Sequence, residues 1–219
     1  MAACKIIAGE FAKGVQCFLM LSGIALLLFK RHREYPQRPL IVWFMDTSKQ
    51  AFGGVLQHVV NIALALTLKR GAIASECIWY FINFFITIFC GLFILHFMMK
   101  SYNSITHHYD LKYLTSGYYG EPPQVLPWML QMLLWGIMAC TEKLITVMCV
   151  ILPLHAHLDA MGVWLEQPFT AKESFHLELV LVMVVAPTLL NFIFFWVVDN
   201  LIKDDRVQRD ELQHPFTNL

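Results

Sequence analysis

Residues 77–99 read CIWYFINFFITIFCGLFILHFMM, running from Cys77 to Met99 without a single Asp, Glu, Lys or Arg. A bilayer core about 30 Å thick needs roughly 20 mostly apolar residues in a helix, because no water is present there to satisfy open backbone groups. These 23 residues meet that requirement. They are entered through Trp79 and Tyr80 and closed by Lys100 and Tyr102, matching the aromatic belt expected at a membrane interface. Four more windows qualify on either side. One runs from about Gly14 to Phe29 and stops at Lys30, Arg31, His32 and Arg33; a second extends from about Val42 to Leu68. Two others span about Val125 to Leu152 and Leu177 to Ile202. The expected architecture is therefore an all-α, polytopic membrane helical bundle of about five transmembrane helices. It forms a single membrane domain over residues 1–219, with spans near 14–29, 42–68, 77–99, 125–152 and 177–202 and a short cytoplasmic tail at 203–219.

The composition agrees with that architecture and removes other classes. Hydrophobic residues make up 58% and charged residues only 15%, whereas a soluble globular chain is nearer a quarter charged. Mean hydropathy is +0.56. With 16 cations against 16 anions there is no net basic face of the kind that binds nucleic acid. The six cysteines (Cys4, Cys17, Cys77, Cys90, Cys140 and Cys149) show no recurring spacing and read as small buried hydrophobes, not as a disulfide framework or zinc module. The first apolar run lacks an A-x-A-like cleavage site and is followed by more charge than precedes it, so it reads as an uncleaved signal anchor.

Orientation follows from the retention of Lys and Arg on the cytoplasmic side. Lys30, Arg31, Arg33, Arg38, Lys100, Lys112, Lys203, Arg206 and Arg209 fall on one side, giving nine; Lys5, Lys13, Lys69, Arg70 and Lys172 fall on the other, giving five. That imbalance predicts a lumenal N-terminus and a cytoplasmic C-terminus.

Charge inside the spans carries the functional information. A charged side chain at a helix centre costs about 2.5–3.5 kcal/mol on insertion scales, so each one requires a reason. In the second span Asp46, Gln50, Gly54, Gln57 and Asn61 fall within about 80° of one another at 100° per residue, with Thr47 and His58 flanking and Lys49 to one side. Gly53 and Gly54 would let a neighbouring helix approach closely. In the fourth span Gln131, Glu142 and Thr146 share a face while Lys143 points about 100° away. The spacing places His58, Glu142, Lys143 and Asn191 near the midplane, and Asp46, Lys49, His96, Asp199 and Asn200 nearer the cytoplasmic ends. Two polar layers are thus expected. The bland alternative is mutual neutralisation, with Glu142 or Asp199 facing Lys49 and fixing helix packing. Asn83 and Thr87 read as local packing or hydrogen-bonding residues of the third span.

Other motifs are weaker. His155-Ala156-His157-Leu158-Asp159 has a spacing compatible with metal ligands, but as a short lumenal loop without a soluble domain it reads as ordinary polar loop sequence, and no metal site is expected. No P-loop, Rossmann, G-x-S-x-G or H-E-x-x-H motif is present, and no cofactor is expected.

The block Trp43-Phe44-Met45-Asp46-Thr47-Ser48-Lys49-Gln50-Ala51, with His58 and Asn61 downstream, resembles the signature of the STIMATE family of store-operated calcium entry regulators, which also includes fungal vacuolar membrane proteins. The resemblance continues in Leu28-Phe29-Lys30-Arg31-His32-Arg33-Glu34, in Gly117-Tyr118-Tyr119-Gly120-Glu121-Pro122, in Glu142-Lys143 and in Phe195-Trp196-Val197-Val198-Asp199-Asn200, in the same order. It implies a multi-pass endoplasmic-reticulum protein, with the vacuolar membrane as alternative location, that binds STIM calcium sensors at contacts with the plasma membrane and catalyses nothing. Animal members carry a long charged tail where about 17 residues follow the last span here, which leaves tail-dependent tethering open. Lys30, Arg31, Arg33 and Arg38 would form a basic cytoplasmic rim for an acidic partner segment or anionic lipid heads, at about 1 kcal/mol per cation. The competing reading makes the polar cluster a site for lipid chemistry or for proton or ion movement, with Asp46, His58 and Glu142 handling protons. Five spans are few for a transporter unless it forms a homo-oligomer. Membrane lipids are partners on either reading, and nucleic acid on neither.

Overall fold

The computed structural model describes residues 10–35, 37–68, 72–167, 180 and 184–202. These are helical throughout apart from short connections. Helix α1 is Glu10–Arg33 and α2 is Leu40–Leu68. Helix α3 (Glu76–Ile86) continues through a π-turn at Thr87–Gly91 into α4 (Leu92–His108). Helix α5 (Val125–Thr146) likewise ends in a π-turn at Val147–Ile151. Helix α6 is His155–Glu166, and α7 is Ala186–Ile202.

Among the described residues, four stretches are long and apolar enough to cross a membrane: Gly14–Arg33, Leu40–Leu68, Ile78–His108 and Val125–Ile151. Helix α7 is a shorter apolar helix at the place of the fifth span. The beginning of that span, from Leu177, and the tail 203–219 lie outside the described residues. The result is a polytopic helical bundle. Helices extend past the apolar windows because polar residues beyond the bilayer, such as Ser101 to His108, still propagate intrahelical hydrogen bonds.

Helix α2 packs on α5, α3 and α7, while α1 packs on α7. Two glycines make the central contacts close. A Cβ on Gly53 would stand 2.5 Å from Trp135 Nε1, and one on Gly136 would stand 2.8 Å from the Phe52 ring, so α2 and α5 each hold a ring of the other over a glycine. Small residues have this role at membrane helix interfaces. Leu95, Met99, Trp135, Val198 and Ile202 form one apolar core cluster; Leu68, Ala74, Ile78, Trp79, Ile82, Ile86, Ile151 and Leu158 form another.

The H-x-H-x-D segment is not a loop. It opens α6, where the His155 ring stacks on Trp79 at a centroid distance of 4.7 Å and Asp159 accepts from the backbone N–H groups of Ile73 and Ala74 and from the Trp79 indole. Burial would push the Asp159 carboxyl up, but these donors outweigh it and hold its pKa below the ordinary value. Among the described residues no group of three or more His, Cys, Asp or Glu is placed to hold a metal ion.

Candidate functional site

The intramembrane polar residues assemble into two layers of different chemistry. The first lies at the end of the bundle that carries the α1–α2 connection, and Arg38 of that connection is its hub. Its guanidinium meets three carboxylates from three elements: Glu34 Oε1 at 2.9 Å, Asp46 Oδ2 at 2.8 Å and Asp199 Oδ1 at 3.1 Å. Planar guanidinium geometry suits such forked contacts better than an ammonium would. Lys30 pairs with the other oxygen of Asp199 at 2.8 Å and donates to Asn200 Oδ1 at 2.6 Å and to the Trp196 carbonyl at 2.9 Å. Lys49 pairs with Asp46 at 3.4 Å and donates to Gln131 Oε1 at 3.0 Å. Gln50 Nε2 adds a donor to Asp199 at 3.0 Å.

Three cations, Lys30, Arg38 and Lys49, thus face three anions, Glu34, Asp46 and Asp199, all of them buried. A set of charges with no net sum, each directly paired, is the arrangement in which mutual attraction best offsets desolvation. Burial alone would lower the Arg38 pKa, but the carboxylates of Asp199, Asp46 and Glu34 more than compensate and raise it above its already high ordinary value. The hub stays charged at every physiological pH.

A loop closes this layer. Gly117 and Gly120 adopt φ of 80° and 90°, left-handed conformations open to glycine, and between them the chain turns the Tyr119 ring into the bundle. Tyr119 is 2% exposed and donates to Asp46 Oδ1 at 2.5 Å; burial, then the Asp46 charge, pushes its phenol far above the ordinary range, so it remains a donor. Gln131 fastens the same loop, donating to the carbonyls of Tyr113, Thr115 and Tyr118 and accepting from Gly117 N–H. The cavity beside Lys49, Gln131, Ser116 and Trp135 measures about 10 Å³, room for one water molecule at most and far below the size of a small-molecule site.

The second layer lies about three turns further along α5 from Gln131. Glu142 accepts from Gln57 Nε2 at 2.8 Å and from Thr146 Oγ1 at 2.9 Å, and its carboxylate fills the notch left by the missing side chain of Gly91. Lys143 donates to Asn83 Oδ1 at 3.0 Å and to the Thr87 hydroxyl. Asn83 in turn donates to Asn61 Oδ1 at 3.2 Å. Both Glu142 and Lys143 are 2% exposed, yet among the described residues neither enters an ion pair.

Several expectations change at this point. Neither Glu142 nor Asp199 faces Lys49; Asp46 and Gln131 do. Asn83 and Thr87 are hydrogen-bonding residues, and their partner is Lys143 of another helix. The basic rim is reduced, because Lys30 and Arg38 are buried in the network while Arg31, donating to the Arg38 carbonyl at 3.0 Å, and exposed Arg33 remain at the surface. Asp46, His58 and Glu142 do not converge: Asp46 belongs to the first layer, and His58 Nδ1 lies 3.5 Å from the Tyr80 hydroxyl. Thr47 is half-buried with its hydroxyl unpartnered among the described residues, and Asn191 is half-buried two turns before Asp199. His96 points outward. Glu34 and Tyr119 belong to the first layer although the helical periodicity did not point to either; in the sequence they stand out only as part of the stretches that carry the family resemblance.

These features define a polytopic α-helical membrane protein with a charge-paired polar core. The sequence profile of the STIMATE family matches residues 77–204, which carry Asn83, Thr87, Tyr119, Glu142, Lys143 and Asp199. The chain belongs to the STIMATE family. It is also 27% identical, over 91% of its own length and 79% of the relative's, to a protein of Saccharomyces cerevisiae described as a vacuolar membrane protein. No solved structure matches it.

Proposed function

We propose that this chain is a multi-pass regulator of the endoplasmic-reticulum membrane that binds STIM-type calcium sensors and promotes store-operated calcium entry at junctions with the plasma membrane. Family membership supports the reading, and the structural observation that carries it is the Arg38 hub. The charges of the first layer are spent on one another and closed over by Tyr119, as befits a rigid adaptor rather than a reaction centre. The sensor's own span would pack on the exposed apolar helix faces, and its soluble segment would meet Arg31 and Arg33, the cations left outside the network. Regulation requires that the sensor's active conformation be bound better than its resting one, since equal affinity shifts no equilibrium. The yeast relative's description supports the vacuolar membrane as the alternative location.

The test is calcium entry after store depletion in cells lacking the protein, complemented with the chain or with Arg31→Gln/Arg33→Gln. Restored entry with the chain, reduced together with sensor binding by the double substitution, is expected. Unchanged entry with and without the chain would reject the regulatory role, and full sensor binding by the double variant would reject the rim.

A further inference from the structure

The contrast between the two layers raises a question about charge state. In the first layer each buried cation touches a carboxylate. In the second, Glu142 and Lys143 are buried just as deeply and are adjacent in sequence, but α5 turns them to different neighbours, and among the described residues every side chain that hydrogen-bonds them is neutral: Gln57, Thr146, Asn83 and Thr87. Hydrogen bonds from neutral dipoles compensate a buried ion far less than a counter-ion does. The same partners serve the uncharged forms without rearrangement. Asn83 Oδ1 accepts from an amine as from an ammonium, and Gln57 and Thr146 donate to a carboxylic acid as to a carboxylate. Gln57 Oε1, on the amide that contacts Glu142, is buried with no donor among the described residues.

Backbone geometry singles out the same spot. The π-turn in the third span begins at Thr87, which binds Lys143, and ends at Gly91, which seats Glu142; the π-turn of α5 begins directly after Thr146. Such turns are rare and frequent at functional sites. Two of them flanking one pair is an observation independent of its hydrogen bonds. The other ionisable groups near this level on α2 and α3 are His58 and Tyr80, which contact each other; Cys90 lies in the neighbouring apolar cluster, and His96 faces outward.

We propose that Glu142 and Lys143 form a proton-binding site within the membrane, at which the two residues hold one proton in common and rest as a carboxylic acid and an amine. Going from the ionic to the neutral form, one Nζ–H bond of Lys143 breaks with its electron pair kept on nitrogen, and one O–H bond forms on Glu142. No proton or charge is gained or lost overall. The ligand of the site is the proton itself, and its occupancy is independent of whether the chain binds a calcium sensor.

Infrared spectra of the full chain in phosphatidylcholine vesicles at neutral pH test this directly. A protonated-carboxyl C=O band that shifts on deuteration is expected, absent in Glu142→Gln and lost in Lys143→Arg, because arginine cannot give up its proton. On the unaltered chain, nitrogen-15 spectra of lysine-labelled protein should show one Nζ as neutral amine. The absence of the carboxyl band from the unaltered chain, its persistence in either variant, or a spectrum in which every lysine is ammonium would overturn the proposal.

Discussion

Arg38 Nη2 stands 3.1 Å from Asp199 Oδ1, joining the α1–α2 connection to the last described turn of α7. Since the same guanidinium also holds Asp46 and Glu34, one side chain ties together the entry to α2, the end of α1 and the end of α7. Removing one partner of a buried pair leaves the others as uncompensated charges and costs about 3–5 kcal/mol. Arg38→Ala is expected to lower the unfolding midpoint of the detergent-solubilised protein accordingly, with Arg38→Lys intermediate because an ammonium cannot reproduce the fork. Unfolding at the midpoint of the unaltered protein would show that the hub carries no stability.

How far this hub was legible in the sequence is instructive. Periodicity placed Asp46, Gln50, Gln57 and Asn61 on one face of α2, and all four are buried there. It could not assign partners, because those are set by helix rotation and by loops, for which the sequence carries no period. Arg38 and Lys30 looked like a positive-inside signal because their charge was readable and their burial was not. Asn83 and Thr87, on an otherwise apolar span, acquired significance only when α5 brought Lys143 against them.

The Tyr119 hydroxyl donates to an ionised carboxylate inside the bundle, and hydrogen bonds to charged groups contribute about 1.5–3 kcal/mol. Tyr119→Phe keeps the ring's packing and removes only that donor. A loss of this size in denaturant unfolding is expected, with increased proteolysis in the loop containing Gly117 and Gly120. Stability equal to the unaltered chain would mean that the loop is not fastened by this bond.

An added Cβ on Gly91 would collide with the Glu142 carboxylate, which its hydrogen bonds to Gln57 and Thr146 hold in that place. Overpacking of this kind costs about 1–3 kcal/mol. Gly91→Ala should therefore destabilise the bundle, and combining it with Glu142→Ala should cost less than the sum of the two single changes, a coupling readable in a double-mutant cycle. Additive costs would show that the two positions do not touch.

At the opposite end of the bundle, Asp159 accepts from the Ile73 and Ala74 N–H groups. Its folded pKa is depressed, so its contribution is fully present above the unfolded carboxylate pKa and is lost as pH falls through the lower folded value. Hydrogen-exchange protection of Ile73 and Ala74 should hold from neutral pH down through the ordinary carboxylate range, fall only below it, and be weak at all pH in Asp159→Ala. Protection that fades already near neutrality would show that the clamp does not depend on the Asp159 carboxylate.

The regulatory role is tested most directly by the affinity of the purified full chain, reconstituted in vesicles, for a STIM-type sensor held in its calcium-free active form and in its calcium-bound resting form. Tighter binding of the active form is expected, by about tenfold for each 1.4 kcal/mol of coupling. Equal affinity for the two forms, or binding to neither, would contradict it.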